Sequence, residues 1–291
     1  MCCALAACMH QKAPVVDVYP KHFNIQIPFG LFAKGILIDT YWGADQVLYK
    51  LYLDNHSPTW ANEHIIHYNP SISKSKDFLY STTTADGKAI AGDVYVCDNI
   101  RLGGVHFKNV SFYNISNPSN AGKADGVIGE NIMNKGVWKI DFTHQQLQFA
   151  SSIDSVKGLE EAELLTAEFT DNAIEIKIAF RNAITETLEL DLGYNGAVIL
   201  PAEMAKPIFY GNTKIYTDSM QFSTPGGTAA IKNSVANDKI EIGGRNFNTF
   251  ITSNEMVREK LIGLRFFNSF NFIVIDYLNK AVYVSKKTIN E

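Results

Sequence analysis

The chain has 291 residues, of which 46% are hydrophobic and 19% charged, a composition typical of a globular protein with an apolar core. Its formal net charge is -4 and its pI is near 6.0, which argues against the basic surface expected of a nucleic-acid-binding protein. No run of 18 apolar residues occurs, so the sequence predicts no transmembrane helix.

The N-terminal stretch differs in texture from the rest of the chain. The four cysteines are Cys2, Cys3, Cys8 and Cys97, and this distribution favours neither a disulfide framework nor a zinc ribbon. Leu5-Ala6-Ala7-Cys8 resembles the lipobox of bacterial lipoproteins, in which Cys8 would be acylated. Seven residues are too few for a complete signal peptide, so either the true start lies upstream or the match is due to chance. We expect residues 1–19 to be a tether or remnant signal segment. If Cys8 is acylated, the expected location is the bacterial cell envelope or periplasm, with attachment to the membrane through the N-terminal lipid. The alternative location is the cytoplasm.

From Asn24 onward, short alternating segments are separated by Gly, Asn, Asp and Pro, which indicates a mostly-β fold. Strands are predicted, in chain order, at residues 35–42, 47–53, 78–83, 89–97 and 105–113. Asp86-Gly87 predicts a tight turn between the third and fourth of these strands. One short helix is predicted within residues 154–165.

Two strand-like segments each end on an aspartate that begins a turn. Asp54 follows Leu51-Tyr52-Leu53, and Asp191 follows Leu188-Glu189-Leu190. Asp39 precedes Thr40 but lies in mid-strand before two bulky aromatic residues, so we interpret it as an ordinary strand residue.

The same order of motifs occurs twice. The sequence Ile-Arg-Leu-Gly-Gly-Val-His-Phe at 100–107 returns as Ile-Glu-Ile-Gly-Gly-Arg-Asn-Phe at 240–247. Asp54 lies 46 residues before the first copy of this octapeptide, and Asp191 lies 49 residues before the second copy. A hydrophobic-hydrophobic-Gly motif ends at Gly129, 75 residues after the first aspartate, and at Gly263, 72 residues after the second. The chain is therefore predicted to contain two copies of one β unit.

The copies are predicted to span residues 20–153 and 172–291, joined by a linker at 154–171. Two copies that each present one aspartate would bring two carboxyl groups together. Because close negative charges resist double ionisation, one acid would keep its proton while the other acts as a base. Such a pair can activate water and protonate a leaving group without a metal or another cofactor.

The duplicated motifs resemble those of two-lobed aspartic peptidases, pepsin-like in length and retropepsin-like in each lobe, over residues 24–285. Asp54 and Asp191 stand where this clan has its catalytic aspartates, and Gly129 and Gly263 match its hydrophobic-hydrophobic-Gly motif. The resemblance implies two homologous β-barrel-like lobes with a cleft between them. It also implies a flap over the cleft, for which 78–95 is the candidate, with Tyr80 or Thr83 as possible substrate contacts.

Both motifs depart from the family's Asp-Thr/Ser-Gly pattern. Asn55 and His56 replace the hydroxyl residue and the glycine of the first copy, and Leu192 replaces the hydroxyl residue of the second, which keeps Gly193. Asn55 can still donate and accept hydrogen bonds, whereas Leu192 cannot. His56 either lies beside the two acids, where it would shift the working pH, or points away from them. Ser57 is expected to support Asp54 by a hydrogen bond.

These residues predict an aspartic-type endopeptidase, monomeric because both halves lie in one chain, that acts on a peptide or protein substrate. The main alternative is a catalytically impaired protein of the same fold that binds peptides or a protein partner. A second alternative is a metal site built from His56, His64, His67 and Glu63, although no His-Glu-x-x-His motif occurs. A third is a β-domain for adhesion or carbohydrate binding, which leaves the duplicated motifs unexplained.

Overall fold

A computed structural model describes residues 15–32, 35–44, 46–83, 89–114, 124–171, 173–210, 215–224 and 227–286. These residues confirm a mostly-β protein with curled sheets, including a half-barrel. The described helices are α1 Glu63–Tyr68, α2 Glu130–Met133, α3 Ala202–Phe209 and α4 Leu264–Phe267. None of these described helices has the length and apolar character needed to cross a bilayer.

The strands are given in chain order. Up to residue 153 they are β1 Asp17–Tyr19, β2 Asn24–Pro28, β3 Gly30–Phe32, β4 Gly35–Trp42, β5 Val47–Leu53, β6 Trp60–Ala61, β7 Ile72–Thr83, β8 Ala89–Cys97, β9 Ile100–Leu102, β10 Val105–Lys108, β11 Val110–Asn114, β12 Gly126–Ile128, β13 Val137–Asp141 and β14 Gln146–Ala150. After residue 153 they are β15 Ala162–Leu165, β16 Ala167–Phe169, β17 Ile174–Ala179, β18 Thr185–Asp191, β19 Val198–Pro201, β20 Ile215–Thr224, β21 Gly227–Ile242, β22 Arg245–Asn254, β23 Leu261–Gly263, β24 Phe272–Asp276 and β25 Ala281–Ser285.

These described strands form three sheets. The first has the order β1-β10-β9-β4-β5-β12-β6-β11-β8-β7, with β3 paired to β4. A second sheet, built from the second half of the chain, has the order β16-β17-β18-β23-β19-β22-β21-β20. The third has the order β15-β25-β24-β13-β14-β2 and so combines strands from both halves of the chain.

The first two sheets repeat one pattern of pairing. In the first, β5 lies parallel to β12, which is antiparallel to β6. In the second, β18 lies parallel to β23, which is antiparallel to β19. The repeated octapeptide forms the same hairpin in both halves, with positive φ at Gly103 and Gly243. Glycine suits these two turns because it adopts a positive φ without steric cost.

The third sheet joins the two halves through a symmetric contact between β13 and β24. Trp138 pairs with Ile275, and Ile140 pairs with Ile273. Every residue of β24 is buried, as expected for a strand covered on both faces. Trp138 also stacks on Phe149 with ring centroids 4.2 Å apart, so aromatic packing supports the junction. The strands after each Gly motif therefore pair across the halves.

Most predicted strands agree with the structure. The predicted hairpin at 35–53 is present as β4 and β5, and Asp39 is an exposed strand residue paired with Lys50. The strand predicted at 105–113 is instead two strands, interrupted at Asn109, whose φ is 56°. Asparagine tolerates this left-handed conformation better than most residues, which accounts for the break.

The segment predicted to hold one short helix has a different structure. It contains two 3₁₀ turns, Ile153–Ser155 and Leu159–Glu161, separated by Gly158 with φ 77°. A left-handed glycine between the turns prevents one continuous helix. The segment then continues as β15 and β16, which join the third and second sheets respectively.

Candidate active site

Asp54 and Asp191 occupy matching positions at the ends of β5 and β18. The Asp54 backbone N–H donates to the carbonyl of Ile128, the last residue of the parallel neighbour β12, at 3.1 Å. Asp191 lies opposite Gly263, the last residue of the parallel neighbour β23. Each aspartate is thus held where a parallel strand pair ends, in a position that the strand register determines.

The two Gly motifs pack directly against the aspartate loops. A Cβ at Gly129 would lie 2.2 Å from the Ser57 carbonyl oxygen, and a Cβ at Gly263 would lie 2.4 Å from the Tyr194 carbonyl oxygen. Neither position has space for a side chain, because real Cβ contacts are longer than 3.0 Å. Both glycines therefore allow close backbone approach beside the turn that follows each aspartate.

The two carboxyl groups meet between the halves of the chain. The Asp54 and Asp191 side chains form a hydrogen bond with each other. The Asp54 carboxyl also lies against Gly193, since a Cβ there would be 2.1 Å from Asp54 Oδ2. Asp191 is 9% exposed, so the pair is largely shielded from solvent on that side.

The pKa of both acids is raised, and burial is the largest cause in each case. Burial and then the negative charge of Asp191 raise the pKa of Asp54 well above its usual value. Burial also raises the pKa of Asp191, but the charge of His56 and backbone N–H groups oppose this increase. Two acids in direct contact, both with raised pKa values, resist losing both protons at once.

Backbone N–H groups also bind each carboxylate. Asp54 Oδ1 accepts from the N–H of His56 at 3.0 Å, and the N–H of Ser57 supplies a further bond. Asp191 Oδ1 accepts from Gly193 at 2.7 Å and from Tyr194 at 3.0 Å. These donors stabilise negative charge and fix the orientation of both carboxyl groups.

Asn55 links the two aspartate loops. Its Nδ2 donates to the Leu190 carbonyl at 2.7 Å, and its Oδ1 accepts from the Leu192 N–H at 2.8 Å. The prediction that Asn55 can both donate and accept is therefore realised across the two halves. The Leu192 side chain is fully buried in the apolar core and makes no reciprocal bond. The connection is supplied from one side only.

The His56 side chain reaches the strand that carries Asp191. Its Nε2 lies 3.1 Å from Glu189 Oε2, and its charge lowers the pKa of Asp191. Ser57 supports Asp54 through its backbone N–H, whereas its hydroxyl donates to the Pro58 carbonyl.

Sequence reasoning missed several residues around the site. Glu189 lies two residues before Asp191, so the period of the strand places both side chains on one face. Glu130 and Glu259 are close enough to His56 for its charge to oppose the burial that raises each pKa. Thr59 accepts the Gly129 N–H at 3.0 Å and holds the first Gly motif in place. Only the strand alternation at Glu189 gave a usable sequence signal.

Other predicted residues are not part of this cluster. His64 contacts Asp125 at 2.9 Å and His67 contacts Glu63 at 3.2 Å, so the histidines of the metal hypothesis bind separate carboxylates. Within the described ranges, no three His, Cys, Asp or Glu residues could jointly hold a metal ion. Cys8, the Asp86-Gly87 turn and the side chains of Tyr80 and Thr83 lie outside the described residues.

Comparison with known proteins adds no family assignment. No protein-family model matches the chain, and no curated protein matches it.

Proposed function

We propose that the chain is a single-chain aspartic-type endopeptidase with two homologous β-barrel-like lobes and a cleft between them. The observation that carries the proposal is the hydrogen-bonded pair Asp54 and Asp191, delivered by matching strands of two repeated units. Three further observations support the proposal: the repeated order of motifs, the glycines packed against both aspartate loops, and the hydrogen bonds by which Asn55 links these loops. Because both acids belong to one chain, a monomer would suffice.

The chemistry follows from one proton shared by two carboxyl groups. The negative charge of Asp191 is stabilised by two backbone N–H donors. Asp191 takes a proton from a water molecule while the water oxygen attacks the peptide carbonyl carbon. Asp54 gives its proton to the carbonyl oxygen, and the product of this step is a tetrahedral diol. When the C–N bond breaks, Asp191 protonates the leaving nitrogen and a hydroxyl proton returns to Asp54. The dyad is then in its starting protonation state.

A second candidate function is peptide binding without turnover. The observation that favours it is the one-sided Asn55 link, because Leu192 supplies no matching hydrogen bond. A dyad held from one side has fewer constraints on its geometry, and a displacement of about 1 Å can cost about 100-fold in rate.

The decisive experiment is cleavage of a mixed peptide library between about pH 3 and pH 8. The pH dependence of the rate over this range reports the raised pKa values of the two carboxyl groups. Asp54→Asn and Asp191→Asn are run beside the wild type. Each should reduce cleavage on the order of 10²- to 10⁴-fold, because an amide can neither accept nor supply the required proton.

Asp39→Asn is the matched control, since Asp39 is exposed on β4 and contacts Lys50 at 2.8 Å. It should cleave as the wild type does. Full activity in either dyad variant would exclude the two-acid mechanism. Folded wild-type protein that binds library peptides but cleaves none would favour the binding function.

A further inference from the structure

His56 contacts Asp54 and the strand that carries Asp191 through different parts of the residue. Its backbone N–H donates to Asp54 Oδ1 at 3.0 Å, while its side chain extends to the strand that carries Asp191. The equivalent residue of the second half, Gly193, has no space for a side chain. The two aspartate loops are thus unequal, because the first carries an ionisable side chain where the second has glycine.

The ring of His56 is in contact with Glu189. His56 Nε2 is 3.1 Å from Glu189 Oε2, across the boundary between the two halves. Among the described residues, His56 Nδ1 is buried and has no hydrogen-bond partner. Of its two ring nitrogens, therefore, only the one facing Glu189 has a polar contact. The two side chains are 26% and 34% exposed, so solvent only partly screens the pair.

Glu189 and Asp191 lie on the same face of β18, two residues and roughly 6.6 Å apart along the strand. A ring held at Glu189 therefore lies beside the Asp191 carboxylate, where its positive charge offsets part of the cost of burying that negative charge. The other carboxylates facing His56 are Asp54 on its own loop, Glu130 at the start of α2 and Glu259 before β23. All of these neighbours are carboxyl groups.

We propose that Glu189 is a positioning residue: it holds the His56 ring beside Asp191, where a positive charge on the ring would place the negative charge of the dyad on Asp191 and the proton on Asp54. This inference rests on the proposed function for its kinetic consequence. Its structural content, the placement of charge within the pair, can be measured without turnover.

The test compares Glu189→Gln, His56→Gln and the double variant with the wild type. Two quantities are measured: the acid limb of the pH profile of kcat/KM, and the titration of the Asp191 side-chain carboxyl carbon by NMR. Removing the positive charge in His56→Gln should move both midpoints upward by about one pH unit. Glu189→Gln should shift them in the same direction, because the ring loses its anionic partner.

The direction of the shift separates positioning from simple electrostatics. If Glu189 acted only as a nearby negative charge, its removal would lower the pKa of Asp191 and move the acid limb downward. If it acts through His56, Glu189→Gln causes no further upward shift when it is added to His56→Gln. A downward shift or no shift in Glu189→Gln, or midpoints of the double variant that lie above those of His56→Gln, would each overturn the proposal.

Glu186→Gln provides the matched control. Glu186 lies on the same strand, is 24% exposed and pairs with Lys260 at 3.2 Å. Its removal should leave both midpoints unchanged. An NMR shift without any peptide cleavage would support the positioning role and refute the peptidase, whereas cleavage with no shift in Glu189→Gln would do the reverse.

Discussion

Gly193→Ala tests whether contact between the two halves sets the geometry of the acids. A Cβ at this position would lie 2.1 Å from Asp54 Oδ2, 2.3 Å from its Cγ and 2.8 Å from its Oδ1. All three distances are below the 3.0 Å that real Cβ atoms keep from other heavy atoms. Since the neighbour is a carboxyl group fixed by hydrogen bonds, either that group or the second aspartate loop must move.

A displacement of this kind should affect activity more than stability. Moving a reacting group by about 1 Å costs about 100-fold in rate, so we expect a loss of kcat/KM of that order or larger. Overpacking one added methyl group typically costs about 1–3 kcal/mol in the free energy of unfolding. Peptide cleavage at the optimum pH and urea denaturation measure the two effects separately.

Gly30→Ala is the control for Gly193→Ala. No atom lies within 4 Å of a Cβ at Gly30, and the residue is exposed on β3. This variant should match the wild type in both assays. A folded Gly193→Ala protein with undiminished kcat/KM would refute the inferred contact between Gly193 and the Asp54 carboxyl.

Two further predictions concern the stability of the site. Asn55→Leu should lower the free energy of unfolding by roughly 2–6 kcal/mol, because it leaves a buried carbonyl and a buried N–H without their partners; urea denaturation checks this, and an unchanged midpoint would contradict it. Asp54→Asn should stabilise the protein at pH 7 and progressively less toward pH 3. The pKa of Asp54 is raised in the folded state, so its contribution to stability is present below the unfolded pKa and is lost as pH rises through the folded pKa. Unfolding at several pH values tests this sign, and a variant less stable than the wild type at pH 7 would oppose it.

Some features of the site could be predicted from local sequence. Asp54 and Asp191 follow strand-like segments and precede turns, and their spacing to Gly129 and Gly263 repeats. The parallel pairing of each aspartate strand with its Gly motif agrees with that repeat. The mostly-β character was also predictable, because strand alternation and turn residues are properties of short segments.

The partners across the halves could not be predicted in this way. Trp138 pairs with Ile275, and His56 contacts Glu189, although each pair is more than 100 residues apart in the chain. Hydrophobic periodicity identifies which face of a strand is buried, but many strands share the same period and could pair with each other. The sequence alone therefore determined the two acids and their matching surroundings. Only the tertiary structure decided that Asn55 links the loops and that His56 contacts Glu189, because long-range packing selects those contacts.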